Sequence, residues 1–286
     1  MKMLNQRQKI DVEDLIRNVG DECIFPYFKN LRESDVSFKD SKSDPVSIAD
    51  KEAERLLQKG LLSILPNSLF IGEELFEEKP EILDYLNQRD LPVWVVDPID
   101  GTNNFVSGCE GFGIMICLVF DGEILSSWFY EICSKKMTVF HNRGDITVNG
   151  NLLESSSHSR KPFTGKIGRK LYRYHEIQNI KETSKEFKID TAKNPSIITY
   201  HSILTGDLDF LIFKITYPWD HLPGIALLSA NGNVFSRWNG EPFEFSDIHE
   251  GLVVARNQEI MDLVLEQIIK PLTDSQEVLK LKPTKS

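Results

Sequence analysis

Several features that would assign this sequence to a common class are scarce or missing. The four cysteines show no CxxC spacing and no dense framework, so free thiols in a reducing compartment are expected, not disulfides. The longest apolar run, around Ile114 to Phe120, is far shorter than the about 20 residues of a membrane-spanning helix. The first residues lack the apolar region of a signal peptide, so the expected location is cytoplasmic.

Positive charge is also in short supply. The 33 Lys and Arg stand against 43 Asp and Glu, for a net charge of −10. This balance argues against a general nucleic-acid binder and against a protein that binds anionic membranes. One exception is the basic segment, residues 160–188, with nine Lys or Arg against three Glu. Two interpretations stay open for it: a local field that guides an anionic substrate, or a solvated helix face, which is the commoner case.

Two familiar metal motifs are missing as well. None of the six histidines has zinc-type spacing such as HExxH, and no compact DxDxDG loop suggests a structural calcium domain. Any metal site must therefore be assembled from separated parts of the chain.

The chain has 286 residues, 41% of them hydrophobic, enough to bury a substantial core in one or two closely joined domains. Short apolar runs between residues 69 and 141 predict the strands of a meandering sheet. A Ser- and Asn-rich seam near residues 150–160 predicts an α+β half, residues 1–150, and an α/β half, residues 155–286. The helical spacing of five apolar residues predicts an amphipathic helix near the start of the chain: Val12, Leu15, Ile16, Val19 and Cys23. Further helices are predicted at Asp50–Ile64, near Tyr174–Phe187, after Asp220, and from Gln258.

Four separated segments each carry acids where a strand ends or a helix begins. Any one of them has an ordinary explanation, since Asp caps helices and Asp-Pro or Asp-Gly pairs favour turns. Together they predict a site for hard cations such as Mg²⁺, because converging carboxylates repel one another unless cations bind between them. The acids are Asp50, Glu73 with Glu74, Asp97 with Asp100, and Asp220.

The stretch "WVVDPIDGTNNF" predicts a strand that ends in this acid cluster. Pro98 fixes the chain between its two aspartates, so that both carboxylates and the carbonyl of Ile99 can face one side. Gly101 and Thr102 then begin a helix, whose first N–H groups suit a phosphate.

The order of these segments resembles the inositol monophosphatase family of Mg²⁺-dependent, lithium-sensitive phosphatases. "DPVSIAD" and "IGEE" precede "DPIDGTNNF", and "PWDHLPG" follows it, over roughly residues 10 to 255. The resemblance implies one phosphatase domain over residues 1–286, with the layered α-β-α-β-α sandwich of the inositol monophosphatase and fructose-1,6-bisphosphatase type. It also implies a homodimer, and two or three Mg²⁺ ions in each site.

The resemblance further implies a role for each acid. The first metal site and its attacking water are matched by four residues: Glu73, Asp97, Ile99 through its carbonyl, and Thr102. The implied reaction is direct hydrolysis of a small phosphate monoester by that water. A second set matches the other metal site, and Asp50 matches the acid behind Thr102 that can help to hold a third metal. Glu73, Thr102 and Asp50 are thus the expected catalytic residues. The second metal site comprises Asp97, Asp100 and Asp220, and the phosphate cradle comprises the amides of Gly101 and Thr102.

Departures from the family pattern fall on the substrate side. Phe213 stands where members that favour inositol phosphates carry an acid, and Asn194 to Ser196 replace a Gly-Ser/Thr-Ala stretch. A phenyl ring accepts no hydrogen bond from a sugar hydroxyl, so inositol monophosphate is not the expected substrate. The alternatives are a nucleotide phosphatase for 3′-phosphoadenosine 5′-phosphate-type substrates, or a catalytically weak member that acts as a binding or regulatory protein.

Overall fold

The computed structural model describes residues 4–38, 45–141, 144–153, 160–168, 171–172, 174–245 and 248–274. Most of the predicted seam, and Arg169, Lys170 and Arg173 of the basic segment, lie outside these ranges. The described strands form a two-stranded hairpin, a seven-stranded sheet and a five-stranded sheet.

The hairpin and the seven-stranded sheet lie in the first half of the chain. The hairpin pairs β1 (Val36–Phe38) with β2 (Pro45–Ser47). The sheet contains β3 (Leu69–Gly72), β4 (Val93–Asp100), β5 (Gly113–Phe120), β6 (Glu123–Glu131), β7 (Lys136–His141), β8 (Ile146–Val148) and β9 (Asn151–Leu152). These strands lie side by side in chain order; β3 and β4 are parallel, and the remaining neighbours are antiparallel. The predicted meander is therefore present.

Helices cover one face of this sheet. The first is α1 (Gln6–Asn18), and α2 (Ile48–Ile64) lies beside it. Their buried side chains pack with Trp94 and Trp128 in one core. Alternate residues of β4 point to the other face and belong to a different core, as the two-residue period of a strand requires.

The five-stranded sheet lies in the second half of the chain. Its strands are β10 (Phe163–Ile167), β11 (Phe187–Asp190), β12 (Phe210–Phe213), β13 (Val234–Ser236) and β14 (Leu252–Ala255), in the order β11-β10-β12-β14-β13. β10 is parallel to both β11 and β12. The chain leaves β10 toward β11 and then crosses to β12 on the opposite side, so the connections diverge beside β10.

Two helices form a middle layer between the sheets. They are α6 (Ser196–Thr205) and α7 (Pro218–Ala230), and their apolar residues share one core with both sheets. On the outer face of the five-stranded sheet lie α5 (His175–Thr183), α8 (Gln258–Val264) and α9 (Lys270–Asp274). The short helices α3 (Glu73–Glu78) and α4 (Thr102–Val106) follow β3 and β4. This confirms the predicted α-β-α-β-α sandwich.

Three predicted helix boundaries were wrong. The polar helix predicted from Tyr174 ends at Thr183 rather than Phe187. It ends there because the hydroxyl of Ser184 accepts the N–H groups of Glu186 and Phe187 and turns the chain into β11. The helix predicted after Asp220 begins at Pro218, since proline suits the first helical position. The helix predicted from Asp50 begins two residues earlier, as described with the site below. No helix in the described ranges has the length and apolarity needed to cross a membrane.

Candidate active site

A β-bulge turns the two aspartates of β4 the same way. Asp97 pairs with Met115 and Asp100 with Gly113, so three steps along β4 match two along β5. In a regular strand, residues three apart point to opposite faces; one inserted residue puts them on the same face. The backbone N–H of Ile99 donates to Asp97 Oδ1 at 3.0 Å inside the bulge. The two carboxylates therefore reach one site, as the sequence predicts.

Asp220 brings the third carboxylate from the middle layer. It lies in the first turn of α7, and one oxygen each of Asp97, Asp100 and Asp220 lie within 4.8 Å of one another. Glu73, at the start of α3, is outside this group but lines the same cleft. The structure thus brings together acids that are far apart in the sequence.

Burial and mutual repulsion disfavour the charged forms of these acids. Burial is the main cause of a pKa of Asp97 well above its usual range, and the charges of Glu73, Asp100 and Asp220 add to it. Burial likewise raises the pKa of Asp100 to about 7, although backbone N–H groups partly offset the shift. A hard divalent cation would relieve both effects, since carboxylate oxygen is its preferred ligand. The donor set therefore fits Mg²⁺.

Asp50 holds Thr102 from behind. The cap of α2 is Ser47, whose N–H and hydroxyl both bond Asp50 Oδ2, at 2.8 and 2.6 Å. This capping box explains why α2 begins before Asp50. The other oxygen, Oδ1, lies 3.1 Å from the Thr102 hydroxyl, which is also 2.9 Å from the Ile99 carbonyl. Burial is the main cause that raises the pKa of Asp50 to about 6.

A second acid of α2, one turn further on, holds the segment that carries Glu73. Glu54 is buried, and its carboxylate accepts the N–H groups of Glu74 at 2.8 Å and Leu75 at 2.7 Å. Gly72 permits this approach, since a Cβ there would lie 2.4 Å from the Glu54 carboxylate. Sequence reasoning missed Glu54, because an acid in a charged helix such as "DKEAERL" reads as solvent-exposed.

The second half of the chain also holds Asp100. The N–H groups of Ser196 and Ile197, at the start of α6, donate to its two oxygens at 3.1 and 2.6 Å. Helix N-termini favour negative charge, so α6 orients this carboxylate and partly stabilises its ionised form.

Four of these acids line a cleft of about 600 Å³, within the usual range for small-molecule sites: Glu73, Asp97, Asp100 and Asp220. Gly101, Thr102, Asn194, Ser196 and Phe213 line it too, as do residues that the sequence did not single out: Lys166, Tyr172 and Lys193. Nothing in the sequence marked Lys166 apart from the other lysines of the basic segment, and only the strand pairing brings it here.

An aromatic cluster supports the Phe213 wall of the cleft. The ring centroids of Phe213 and His221 are 4.5 Å apart, and the Tyr200 hydroxyl lies 2.9 Å from His221 Nδ1. Burial lowers the pKa of His221 to about 3, so its imidazole is neutral near pH 7. His221 therefore packs in this cluster as a neutral side chain.

The amino-acid sequence of the chain matches one known protein family over most of its length. Residues 5–272 match the family model described as the inositol monophosphatase family. The chain is 30% identical over 236 residues to an inositol monophosphatase of Dictyostelium discoideum, over 82% of this chain and 76% of that protein. It is 27% identical over 241 residues to the chloroplastic bifunctional phosphatase IMPL2 of Arabidopsis thaliana, over 81% of this chain and 65% of that protein.

A solved structure of an inositol monophosphatase shares the fold. The crystal structure of inositol monophosphatase-II from Staphylococcus aureus superposes with a TM-score of 0.76 at 20% identity, covering 97% of this chain and 100% of that one. A sequence match over nearly all of the chain and a shared architecture lead to one conclusion: the chain belongs to the inositol monophosphatase family, whose members are phosphatases.

Proposed function

We propose that this protein hydrolyses a small phosphate monoester with the help of Mg²⁺. The carrying observation is the group of three aspartates, whose ligand oxygens lie within 4.8 Å of one another. It stands beside Glu73 and Thr102 in a cleft large enough for a small molecule. The family is metal-dependent, and carboxylate oxygens select hard ions.

The residues would divide the ions between two main sites. Glu73, Asp97 and the Ile99 carbonyl would hold one ion, and Asp97, Asp100 and Asp220 another. Asp50 would help to hold a third, more weakly bound ion. When bound, such ions lower the pKa of water and offset the charge on phosphoryl and leaving-group oxygens.

The chain's own residues would position the attacking water and take its proton. The Thr102 hydroxyl donates to Asp50, which leaves its oxygen lone pairs to accept a hydrogen from water. As the water oxygen bonds to phosphorus, the ester P–O bond breaks and the alcohol oxygen leaves with the electron pair, taking up a proton from solvent. Glu73 accepts the proton that the water loses. No covalent bond to the protein is required.

The turn at Gly101 would cradle the phosphate. Gly101 has a φ of +91°, and a Cβ there would lie 2.9 Å from the Pro195 side chain. Only glycine combines that backbone with that close approach. The amides of Gly101 and Thr102 begin α4 in the wall of the cleft, where they can donate to phosphate oxygens.

The residues that line the cleft do not favour inositol monophosphate as the substrate. Phe213 offers an aromatic face and no hydrogen-bond acceptor, with Asn194 and Ser196 nearby on the lining. A nucleotide of the 3′-phosphoadenosine 5′-phosphate type is the second candidate, since a phenyl face can pack against a base. A role limited to binding is not favoured, because no acid of the predicted set is replaced.

The test is phosphate release from a panel of phosphate monoesters, with Mg²⁺, with EDTA, and with Asp97→Asn. The panel comprises inositol 1-phosphate, fructose 1,6-bisphosphate, 3′-phosphoadenosine 5′-phosphate, histidinol phosphate and NADP. We expect turnover that needs Mg²⁺ and is lost in the variant. Turnover that persists in EDTA or in Asp97→Asn would refute the assignment.

We also propose a cytoplasmic homodimer. The four free cysteines fit a reducing compartment. Sedimentation equilibrium of the purified chain tests the assembly: twice the mass of 32.8 kDa is expected, and a monomer at micromolar concentration would contradict it.

A further inference from the structure

One wall of the cleft carries a buried cation in an otherwise acidic protein. Lys166, near the end of β10, is only 7% exposed and lines the cleft. Its ammonium donates to the Ala192 carbonyl at 2.6 Å and lies 3.5 Å from Asp190 Oδ2. Burial lowers the pKa of Lys166, and Asp190 only partly offsets this effect. Since an ammonium has three N–H donors, these two acceptors among the described residues do not use its full capacity.

The topology of the five-stranded sheet puts this lysine where ligands bind. The connections after β10 and β12 diverge, and in such sheets the crevice at the carboxyl ends of the strands at that point is the usual ligand site. Lys166 stands on one side of this crevice and Phe213, which ends β12, on the other.

A tyrosine and a second lysine lie beside Lys166 at this end of the cleft, here called the basic end: Tyr172 and Lys193. Tyr172 donates its hydroxyl to the Asp190 carbonyl at 2.8 Å, which fixes its ring beside the same segment. Lys193 follows Ala192, the residue that Lys166 bonds, and both residues line the cleft. Asp190 itself faces a different groove.

The basic end lies within reach of the acid cluster. Ala192 contacts Lys166, and Ser196, four residues later, donates to Asp100. Four residues of extended chain span at most about 14 Å. This short segment therefore limits how far apart the two anionic groups of one bound substrate would lie.

We propose that Lys166, with Lys193, binds a second oxyanion of the substrate beside the ring of Tyr172. The favoured substrates are then small molecules with a phosphate monoester and, elsewhere, another phosphate or a carboxylate. This inference rests on the proposed function and deepens it.

The experiment compares substrates that differ by one anionic group. One pair is fructose 1-phosphate and fructose 1,6-bisphosphate; the other is glycerol 3-phosphate and 3-phosphoglycerate. The proteins are wild type, Lys166→Met and Lys188→Met. Lys188 is the matched control, since it lies exposed on the neighbouring strand β11 and outside the cleft.

Lys166→Met is expected to lower kcat/KM for the two-anion member of a pair about ten- to a hundredfold more than for its partner, mainly through KM. Lys188→Met is expected to leave the ratio as in wild type. Loss in both pairs assigns the site to oxyanions generally, and loss in the bisphosphate pair alone assigns it to phosphate. An equal loss for both members of each pair would show that Lys166 only holds the 191–195 segment in place, and would overturn the inference, as would no loss.

A binding measurement separates this inference from the proposed function. If wild type releases phosphate from none of the compounds, the proposed function fails. Isothermal titration of fructose 1,6-bisphosphate and of fructose 1-phosphate then still decides the subsite. Lys166→Met must weaken binding of the bisphosphate about tenfold more than binding of the monophosphate.

Discussion

At the scale of single residues, the Thr102 hydroxyl links structure to chemistry most directly. It lies between the Asp50 carboxylate and the Ile99 carbonyl, at 3.1 and 2.9 Å. We predict that Thr102→Val lowers kcat about 10²- to 10⁴-fold, because the hydroxyl that positions the attacking water for proton transfer to Glu73 is lost. Thr102→Ser, which keeps the hydroxyl, should retain most of the activity. Steady-state phosphate release at saturating Mg²⁺ measures both; a valine variant as active as the serine variant would contradict the assignment.

The buried aspartates also predict how stability depends on pH. The pKa of Asp100 is raised to about 7 in the folded protein, so the metal-free fold binds a proton that the unfolded chain has already released. The stability that Asp100 contributes is therefore full at low pH and is lost as pH rises through about 7. Between pH 6.5 and 8 this one group should cost the metal-free protein roughly 1 kcal/mol.

Thermal melts in EDTA and in Mg²⁺ check this expectation. The midpoint in EDTA should fall from pH 6.5 to 8, and Mg²⁺ should raise it more at pH 8. Asp97→Asn should raise the metal-free midpoint at pH 8 while it abolishes turnover, since it removes one of the repelling charges. The melts are compared only above pH 6.5, because a second group acts below it. Burial lowers the pKa of His141 to about 4, so this histidine reduces the stability of the fold as pH falls below 6.5. A metal-free midpoint that rises with pH would refute the account.

At the scale of elements, α2 presents two acids one turn apart and sets two parts of the site. Asp50 holds Thr102, and Glu54 holds the amides at the start of α3. We predict that Glu54→Gln raises the Mg²⁺ concentration for half-maximal thermal stabilisation about tenfold, because partners of metal ligands typically contribute 10- to 100-fold to affinity. Gly72→Ala should act the same way, since its Cβ would displace the Glu54 carboxylate.

The matched control for that prediction is Asp209→Asn. Asp209 is a buried acid outside the cleft lining that accepts the N–H of Thr164 at 2.8 Å. Its substitution should lower the melting midpoint without changing the Mg²⁺ dependence. A shift in Mg²⁺ dependence as large as that of Glu54→Gln would mean that the effect reports general destabilisation.

The sequence predicted those elements whose signals are local. The strand through "WVVD", the helix at Thr102 and the meander all follow from apolar runs and turn residues. The β-bulge between Asp97 and Asp100 depends on the register with β5, which no local pattern states. Glu54 and Lys166 were missed for the same reason: their burial comes from Gly72 and from the strands beside β10, both distant in the sequence.

At the scale of the whole molecule, the middle layer joins the two sheets. Leu228 of α7 is fully buried in a core that includes side chains of both sheets. We predict that Leu228→Ala lowers the free energy of unfolding by about 2–5 kcal/mol, and lowers it equally for both sheets. Hydrogen exchange in β5 and β12 measures each sheet separately. A loss confined to one sheet would contradict the single domain over residues 1–286, which stays a prediction.

The split origin of the acid cluster has a consequence for synthesis on the ribosome. Asp220 is added 120 residues after Asp100 (220 − 100), and Ser196 and Ile197, which hold Asp100, come 96 and 97 residues after it. At typical translation rates the earlier aspartates wait about 6 to 24 seconds for the third. Until then the nascent chain has no complete set of ligands with which to capture a cation. Under the proposed metal assignment, ion capture reports completion of the middle layer, and a metal-sensitive signal on stalled chains should appear only once α7 has left the exit tunnel.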